Sequence, residues 1–417
     1  MGIVSPLGIG CDAVAQALQT GASGVRPLPE LREAGWLAPY GGVVSGFEPK
    51  EYVQPRKSLK VMAREIQFAF AAAEMAHQQA GLATEAGASQ EEIDPDRFGV
   101  VVGAGLLYCD LDELTAAYQA CLGRQGFDFS KWGDQAVREF FPLWMLKYLP
   151  NMSACHIGIR HDARGPCNTI SHGDVSSLLA IDEGAQVICR GQADVMLVGG
   201  ASSRLAISDL LWHKGARLAQ SDAPAETICR PFDIDRMGMV MGEGAAMFVL
   251  ESRDFAERRG AKPLATWLGT AMRQQGSIHE RKPPTDAIAG ALAAAVERVG
   301  ISPAELDHIN AHGLSTREDD PAEAEGIARV LAGAPVPVTA IKSATGNLGA
   351  AGGAVELAAS LLALRQGFIP ATLNHQQTDP ACPVQVVAEP QTTKGRTFAK
   401  LNHTATGQAV AAVVRIE

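Results

Sequence analysis

Asp174 lies at the start of a predicted core helix, a position suited to negatively charged chemistry. Residues 165–200, GPCNTISHGDVSSLLAIDEGAQVICRGQADVMLVGG, predict a turn, a helix from about Val175 to Arg190 and a buried strand Asp194–Val198. The helix is apolar nearly all round, which is typical of a helix inside a core. Its first turn presents unpaired N–H groups and the positive end of a dipole, so the site favours negative charge. Enzymes place reactive thiolates in such positions because the dipole lowers the thiol pKa.

This segment resembles the nucleophile segment of the β-ketoacyl-acyl-carrier-protein synthases, the condensing enzymes of fatty acid and polyketide synthesis. The resemblance rests on GP, SSLLAI and ADVMLVGG. In that family the residue matching Asp174 is the cysteine that carries the acyl chain, so the resemblance implies a scaffold without its nucleophile. Asp174 is then either a helix N-cap, worth about 1 kcal/mol, or a charged mimic of the thiolate or a base. Cys167 precedes the turn, on the strand leading in, and is not expected to substitute for the missing cysteine.

Other blocks resemble the same family in the same order. They are VSPLG, RPFDIDRMGMVMGEGAAMFVLE, NAHG, IKSATG and LGAAGGAVE. The resemblance implies an α/β, thiolase-like fold with two βαβ halves in a five-layered α-β-α-β-α arrangement. The halves are residues 1–251 and 252–417. Strands that alternate with helices predict a mainly parallel sheet in each half.

The resemblance also implies a catalytic set of Asp174, His312, Asn347 and Lys342. In the family two histidines contact the malonyl thioester, and a lysine supports them. His312 in NAHG and Lys342 in IKSATG match the first histidine and the lysine, whereas Asn347 replaces the second histidine. An asparagine amide donates a hydrogen bond but cannot take a proton. His312 remains open to a purely structural interpretation, and Asp320 and Glu323 fall where the family has its acidic residues.

The C-terminal block NHTATGQ departs further from the family pattern NSFGFGGTN. Thr404, Thr406 and Gly407 fall on the loop that the resemblance implies to be substrate-binding. Thr406 replaces the phenylalanine that gates acyl entry in the family. His172 and His403 are two further side chains that could crowd the vacated pocket.

The composition of the chain limits which partners and cofactors are expected. A net charge of −10 argues against nucleic acid, and it requires a local basic patch if an acidic acyl carrier protein is to bind. Apolar runs long enough for a membrane span are absent from the sequence. The eight cysteines lack CxxC or metal-ligand spacing, which predicts a reduced, cytoplasmic protein without a metal or cofactor.

Two expectations concern assembly and the start of the chain. The family resemblance implies a homodimer, or a heterodimer with an active ketosynthase, through a strand near residues 192–200 and helices around 106–150. The chain starts at the glycine-rich turn that leads into VSPLG, so the first strand of the fold is expected to be missing. The true start is then expected upstream, the alternative being that another segment supplies the strand.

The resemblance and the missing cysteine together favour a protein similar to the chain-length-factor subunits that pair with an active ketosynthase. One alternative is an acyltransferase or thioesterase that acts on acyl thioesters with His312 and Asp174. A second is a malonyl-carrier decarboxylase. It is disfavoured because a carboxylate at Asp174 would repel the malonate carboxylate by several kcal/mol at low effective dielectric.

Overall fold

A computed structural model describes residues 1–36, 38–82, 93–212, 217–276 and 283–417. Its strands, in chain order, are β1 Gly2–Ser5, β2 Gly8–Ile9, β3 Val25–Pro27, β4 Tyr40–Gly42, β5 Phe98–Ala104, β6 Leu122–Gly123, β7 Gly126–Phe127, β8 Cys167–Ile170, β9 Val195–Ser203, β10 Glu243–Glu251, β11 Ala265–Gln274, β12 His308–Asn310, β13 Val338–Thr339, β14 Phe368–Ile369, β15 Gln391–Thr392, β16 Thr397–His403 and β17 Gln408–Ile416.

The α-helices alternate with these strands along most of the chain. They are α1 Cys11–Thr20, α2 Pro29–Glu33, α3 Arg64–Gln79, α4 Leu111–Ala120, α5 Val137–Glu139, α6 Met152–His161, α7 Ser176–Cys189, α8 Ile207–Trp212, α9 Arg253–Arg258, α10 Thr285–Val299, α11 Asp319–Leu331, α12 Lys342–Thr345 and α13 Gly352–Arg365. Within the described ranges, none of these helices is long and apolar enough to cross a membrane.

The predicted helix Val175–Arg190 and strand Asp194–Val198 are observed as α7 and β9, with ends shifted by up to about five residues. The segment Arg56–Gln79 has apolar residues at the three- and four-residue spacing of one long amphipathic helix, but the structure breaks it in two. It consists of a 3₁₀ segment, Arg56–Val61, followed by α3. Met62 is extended between them, with φ −118° and ψ 116°, and its side chain is only 1% exposed. The buried, extended Met62 therefore interrupts a segment whose apolar spacing is typical of one helix.

The first sheet has the strand order β2-β1-β10-β9-β5-β8. The expectation that its first strand is missing is wrong, because Gly2–Ser5 form β1 themselves. Val4 lies opposite Ala245 of β10, and Ile3 and Val4 are fully buried. Ile3 and Val4 are adjacent β-branched residues, which suit a strand that is covered on both faces. The glycines on either side make this short strand resemble a turn in the sequence.

The second sheet has the order β11-β17-β16-β12-β13. Both sheets are mixed, so the prediction of mainly parallel sheets is wrong. In the first sheet β5 runs parallel to β8 and β9, and in the second β12 runs parallel to β13 and β16, whereas the remaining neighbours are antiparallel. The short connection 404–407 joins β16 directly to β17, and a connection of that length permits only antiparallel pairing.

The structure also corrects the predicted dimer contact. β9, which contains most of residues 192–200, pairs with β10 on one side and with β5 on the other. Its backbone hydrogen bonds are thus used within the sheet, and it cannot pair with a second copy. The edge strand on this side is β8, which pairs only with β5 among the described strands.

The layers follow the expected α-β-α-β-α order, which confirms the thiolase-like fold. α3 and α6 cover the outer face of the first sheet, and α10 and α11 cover the outer face of the second. α7 and α13 lie between the sheets. The core there mixes side chains from both sheets, including Met196 and Val198 from the first and Phe398 and Val414 from the second. The first sheet uses residues 2–251 and the second 265–416, so each half contributes one sheet to a shared core.

Candidate functional site

Asp174 lies in a 3₁₀ turn, Gly173–Val175, immediately before α7. The N-cap interpretation of Asp174 is wrong. The N-cap position is Val175, and no side chain caps the helix. Ser176 instead closes the turn: its hydroxyl accepts the N–H of His172 at 2.8 Å and donates to the carbonyl of Gly173 at 2.7 Å. The carboxylate of Asp174 is therefore free to point away from the helix and into the site.

Close packing against glycines fixes the start of α7. A Cβ at Gly103 would lie 2.5 Å from the backbone nitrogen of Ser177, and one at Gly200 would lie 2.6 Å from the Cβ of Ser177. These glycines are in β5 and β9. The first turn of α7 consequently sits directly on the sheet, and Asp174 is only 9% exposed.

Three side chains converge on the Asp174 carboxylate. Arg204 Nη2 donates to Oδ1 at 2.5 Å, and Asn347 Nδ2 donates to Oδ2 at 3.3 Å. His312 Nε2 lies 3.5 Å from Oδ2. Burial opposes ionisation of Asp174, but Arg204, His312 and Lys342 outweigh it and hold the pKa of the carboxyl well below its usual value. Asp174 is thus a buried, ionised and paired carboxylate.

His312 follows β12 and is fully buried. Its Nδ1 lies 2.8 Å from Lys342 Nζ and 2.9 Å from Asn402 Nδ2. Both of these groups are donors, so Nδ1 is the acceptor and the ring hydrogen is on Nε2. Burial, followed by the charges of Lys342 and His403, lowers the pKa of His312 well below its usual value despite Asp174. His312 is therefore a neutral donor that faces Asp174.

Asn347 has its amide fixed by the backbone. Its Oδ1 accepts the N–H of Gly349 at 3.1 Å, which directs Nδ2 toward Asp174 and toward the sulfur of Met239 at 3.0 Å. The backbone N–H of Asn347 donates to the carbonyl of Val240 at 2.7 Å. Four residues predicted from sequence as catalytic are therefore in one cluster, with Lys342 bound to His312.

Sequence reasoning missed Arg204, the strongest partner of Asp174. Arg204 follows the last residue of β9, and its guanidinium lies over Gly349. A Cβ at Gly349 would be 2.4 Å from Arg204 Nε. An arginine directly after a buried apolar strand is a weak signal, because such positions are also common in solvated loops.

Sequence reasoning also missed a charge network behind His312. Lys342 Nζ and Lys400 Nζ lie 2.5 and 2.6 Å from the two carboxylate oxygens of Glu356. Lys400 also donates to the carbonyls of Asn310, Ala311 and Leu401 at 3.1, 3.0 and 2.8 Å. The available signal was a charge within an apolar run: lysine in FAKL and glutamate in AVELAA.

Glu323 and His403 complete the buried side of the cluster. The Glu323 carboxylate accepts the backbone N–H groups of His312 at 2.6 Å and Gly313 at 2.8 Å. The His403 ring packs edge-to-face on His312 with centroids 4.5 Å apart. His172, in contrast, is exposed and outside the cluster. Asp320 accepts backbone N–H groups of Phe232 and Thr316 and supports the loop after β12.

The loop of Thr404, Thr406 and Gly407 is closed on itself. The hydroxyls of Thr404 and Thr406 lie 3.0 Å apart, and both bind the side-chain oxygen of Gln408. Gly407 has φ +97°, and its N–H donates to the carbonyl of Thr404 at 3.1 Å. Thr404 is buried against Gly173, whereas Thr406 is exposed. Only Thr404 of these three thus lies beside the Asp174 turn.

Two further constellations lie outside the site. Cys167 is exposed on the edge strand β8, as expected of a residue ahead of the turn. In the second half Ser360 Oγ lies 3.0 Å from His308 Nε2, and His308 Nδ1 lies 3.1 Å from Asp307. This arrangement resembles a hydrolase triad, but His308 and Ser360 are both fully buried within the core. It therefore has a structural role.

Comparisons with known proteins identify the family of the chain. Residues 1–256 match the family model for the β-ketoacyl synthase N-terminal domain, and residues 264–376 match that for the C-terminal domain. The chain is 31% identical over 394 residues to 3-oxoacyl-[acyl-carrier-protein] synthase 2 of Vibrio cholerae, covering 93% of this chain and 90% of that protein.

Two solved structures share the fold over the whole chain. One is the ishigamide ketosynthase/chain length factor, with a TM-score of 0.85, 27% identity and coverage of 100% of this chain and 97% of that one. The other is a type II polyketide acyl-carrier protein in complex with its ketosynthase, with a TM-score of 0.83, 26% identity and coverage of 100% and 98%. The chain belongs to the β-ketoacyl synthase family of fatty acid and polyketide biosynthesis, and Asp174 lies at the start of its central buried helix.

Proposed function

We propose that this protein is a non-condensing β-ketoacyl synthase homologue that acts as the partner subunit of a cysteine-bearing ketosynthase, in the manner of a chain-length factor. The observation that carries the proposal is the ion pair between Asp174 and Arg204. A carboxylate that accepted an acyl group would form a mixed anhydride, which is too labile to hold a growing chain. Asp174 in addition accepts hydrogen bonds from Arg204 and Asn347, and it faces His312 Nε2 at 3.5 Å.

No cysteine in the described ranges replaces the missing thiolate. Cys167 is on the edge strand, and burial raises its pKa. Cys229 is closest to the network and donates to the backbone carbonyl of Lys342 at 3.1 Å. Burial raises the pKa of Cys229 to about 12, so it is a neutral thiol at physiological pH.

The geometry weighs against an acyltransferase or thioesterase based on His312 and Asp174. A general base needs a free lone pair within reach of the proton that it takes. The Nδ1 lone pair of His312 already accepts from Lys342 and Asn402, and its Nε2 carries a hydrogen. The depressed pKa of Asp174 makes that carboxylate a weak base as well.

Malonyl decarboxylation is disfavoured for a related reason. The donors that would hold a thioester oxygen are His312 and Asn347, and both face the negative charge of Asp174. A malonate carboxylate brought to the same place would meet like charge at low effective dielectric, which costs several kcal/mol.

The edge strand β8 is the surface that we assign to the partner ketosynthase. Cys167 and Asn168 are exposed there, and the N–H of Thr169 donates to the side-chain oxygen of Asn168 at 2.8 Å. An exposed strand edge is a ready template for pairing with another chain. We assign to the same interface the exposed apolar side chains of residues 106–150, among them Leu106, Leu111, Phe129, Val137, Leu143 and Met145. The similarity to a ketosynthase/chain length factor supports a ketosynthase as the partner.

For an acyl carrier protein we propose the 3₁₀ segment Arg56–Val61. Its basic residues Arg56, Lys57 and Lys60 are all exposed. Against the overall charge of −10, this segment is a local positive surface of the kind that an acidic partner needs. A similar ketosynthase was solved in complex with its acyl-carrier protein, which supports a carrier protein as the partner. We place the complex in the cytoplasm.

The test is reconstitution with and without the partner. Incubated alone with acyl- and malonyl-carrier protein, the chain should give no β-ketoacyl product and no acyl adduct in intact-protein mass spectrometry. Mixed with a cysteine-bearing ketosynthase from the same genome, it should co-elute as a heterodimer and shift the chain length of the product. Product from the chain alone, or an adduct mapped to Cys167, would overturn the proposal.

A further inference from the structure

The groups around Asp174 have the composition of a carboxylate-binding site. Arg204 supplies a charged donor to one oxygen, whereas Asn347 supplies a neutral donor to the other. The Nε2 of His312, fully buried, has no hydrogen-bond partner and points at the same oxygen from 3.5 Å. A buried donor without a partner is costly, so this one indicates a site built to receive negative charge.

Each donor is held in place by contacts that do not involve Asp174. The backbone N–H of Gly349 orients the Asn347 amide at 3.1 Å. Lys342 and Asn402 fix the ring of His312 through Nδ1. Arg204 lies in the space that Gly349 leaves by lacking a Cβ. The donor set is therefore preorganised and should persist when the aspartate side chain is removed.

We propose that Arg204, Asn347 and His312 form a binding site for a small monocarboxylate, and that Asp174 occupies it as a tethered ligand. This goes beyond the partner-subunit function and does not depend on it. A tethered group acts at a high effective concentration, so a free carboxylate cannot compete with it in the native chain. In the natural protein, the side chain of Asp174 therefore occupies this site and excludes free carboxylates.

The size of the group that each substitution of Asp174 removes predicts which free carboxylate will fit in its place. Asp174→Ala removes one carboxylate group and leaves room for formate. Asp174→Gly removes a carboxymethyl group and leaves room for acetate. Asp174→Asn keeps the side-chain shape and leaves room for neither. Formate should therefore stabilise the alanine variant, and acetate should stabilise the glycine variant most.

The experiment measures melting temperature and calorimetric binding with formate, acetate and chloride at matched ionic strength. At about 100 mM formate we expect Asp174→Ala to gain on the order of 1–3 °C over its value in chloride, with no such gain in the wild type or Asp174→Asn. Affinity for formate should exceed that of the wild type by about tenfold or more. Arg204→Met in the alanine background should abolish the gain, because it removes the charged donor.

Three results would overturn the proposal. They are equal formate effects on Asp174→Ala and the wild type, a formate effect that survives Arg204→Met, and no discrimination between formate and acetate by the alanine and glycine variants. If Asp174→Ala is insoluble in chloride, expression in formate should recover it. Failure to recover it while Asp174→Asn is soluble also counts against the site. None of these results depends on a partner ketosynthase, so they are separable from failure of the proposed function.

Discussion

Arg204 donates to the carboxylate of Asp174 across 2.5 Å, although the two residues are 30 positions apart in the chain. One follows β9 and the other precedes α7, and the parallel packing of β5 and β9 under α7 brings both to the same end of the sheet. The side chains of Arg204 and Asp174 are only 16% and 12% exposed. The Asp174–Arg204 ion pair is therefore largely shielded from solvent, and we expect the stability of the site to depend on it.

Arg204→Met should lower the free energy of unfolding by about 3 kcal/mol, because it leaves the Asp174 carboxylate buried without its charged partner. The measurement is urea denaturation at pH 7. A matched control is Arg97→Met, since Arg97 pairs with Asp194 at the surface, where the side chains are 38% and 26% exposed. That change should cost much less than Arg204→Met, because solvent screens the exposed pair. Equal losses in the two variants would show that the Asp174 pair is not effectively buried.

Asp174→Cys should not restore condensation by itself. The positive surroundings from Arg204 and Lys342 favour a thiolate, so iodoacetamide should label the new cysteine. The condensation step that follows acyl loading still lacks the second histidine, because Asn347 donates a hydrogen bond but cannot take or carry a proton. The measurement is β-ketoacyl product formation from acyl- and malonyl-carrier protein. The double variant Asp174→Cys/Asn347→His should exceed the single one, and efficient turnover by the single variant would contradict the role given to Asn347.

The stability contributed by Lys400 should rise with pH above 8. Burial, with help from Lys342, lowers the pKa of Lys400 to about 8 although Glu356 acts in the opposite direction. An unfolded lysine titrates near 10.4, so between these values the unfolded chain binds a proton that the native chain has released. Stability then increases by up to about 1.4 kcal/mol per pH unit.

This slope is measured as the difference between the wild type and Lys400→Met in urea denaturation at pH values from 8 to 10. The exposed Lys50 provides a matched control, since Lys50→Met should give a flat difference. A flat difference for Lys400→Met as well would show that Lys400 keeps an ordinary pKa.

Pairing through β8 should protect Cys167 from alkylation. Cys167 and Cys189 are both exposed thiols in the isolated chain, but only Cys167 is on the edge strand. In a dimer or heterodimer formed through that edge, alkylation of Cys167 should slow as protein concentration rises, while Cys189 reacts at a constant rate. Mass spectrometry of the modified peptides gives both rates. Parallel protection of the two thiols, or protection of neither in a proven dimer, would place the interface elsewhere.

The sequence by itself determined the fold and the central position of Asp174. The helix after Asp174 is apolar on nearly every face, and such a helix can be stable only between two layers, which is where α7 lies. The apolar run in ADVMLVGG likewise predicts a strand buried on both faces, as β9 is. These patterns are local, with periods of two or about 3.6 residues, so they can be read without knowledge of the topology.

Only the tertiary structure decided which side chains meet in the site and which strand lies at the edge of the first sheet. Asn347 meets Asp174 across 173 residues, and Lys400 meets Glu356 because β16 passes behind α13. Strand order placed β9 inside the sheet and β8 at its edge, against the expectation from sequence. The N-cap interpretation failed for the same reason, because a carboxylate at a helix start binds the strongest donor within reach. For Asp174 that donor is Arg204, whose position is set by the packing of distant segments rather than by the helix.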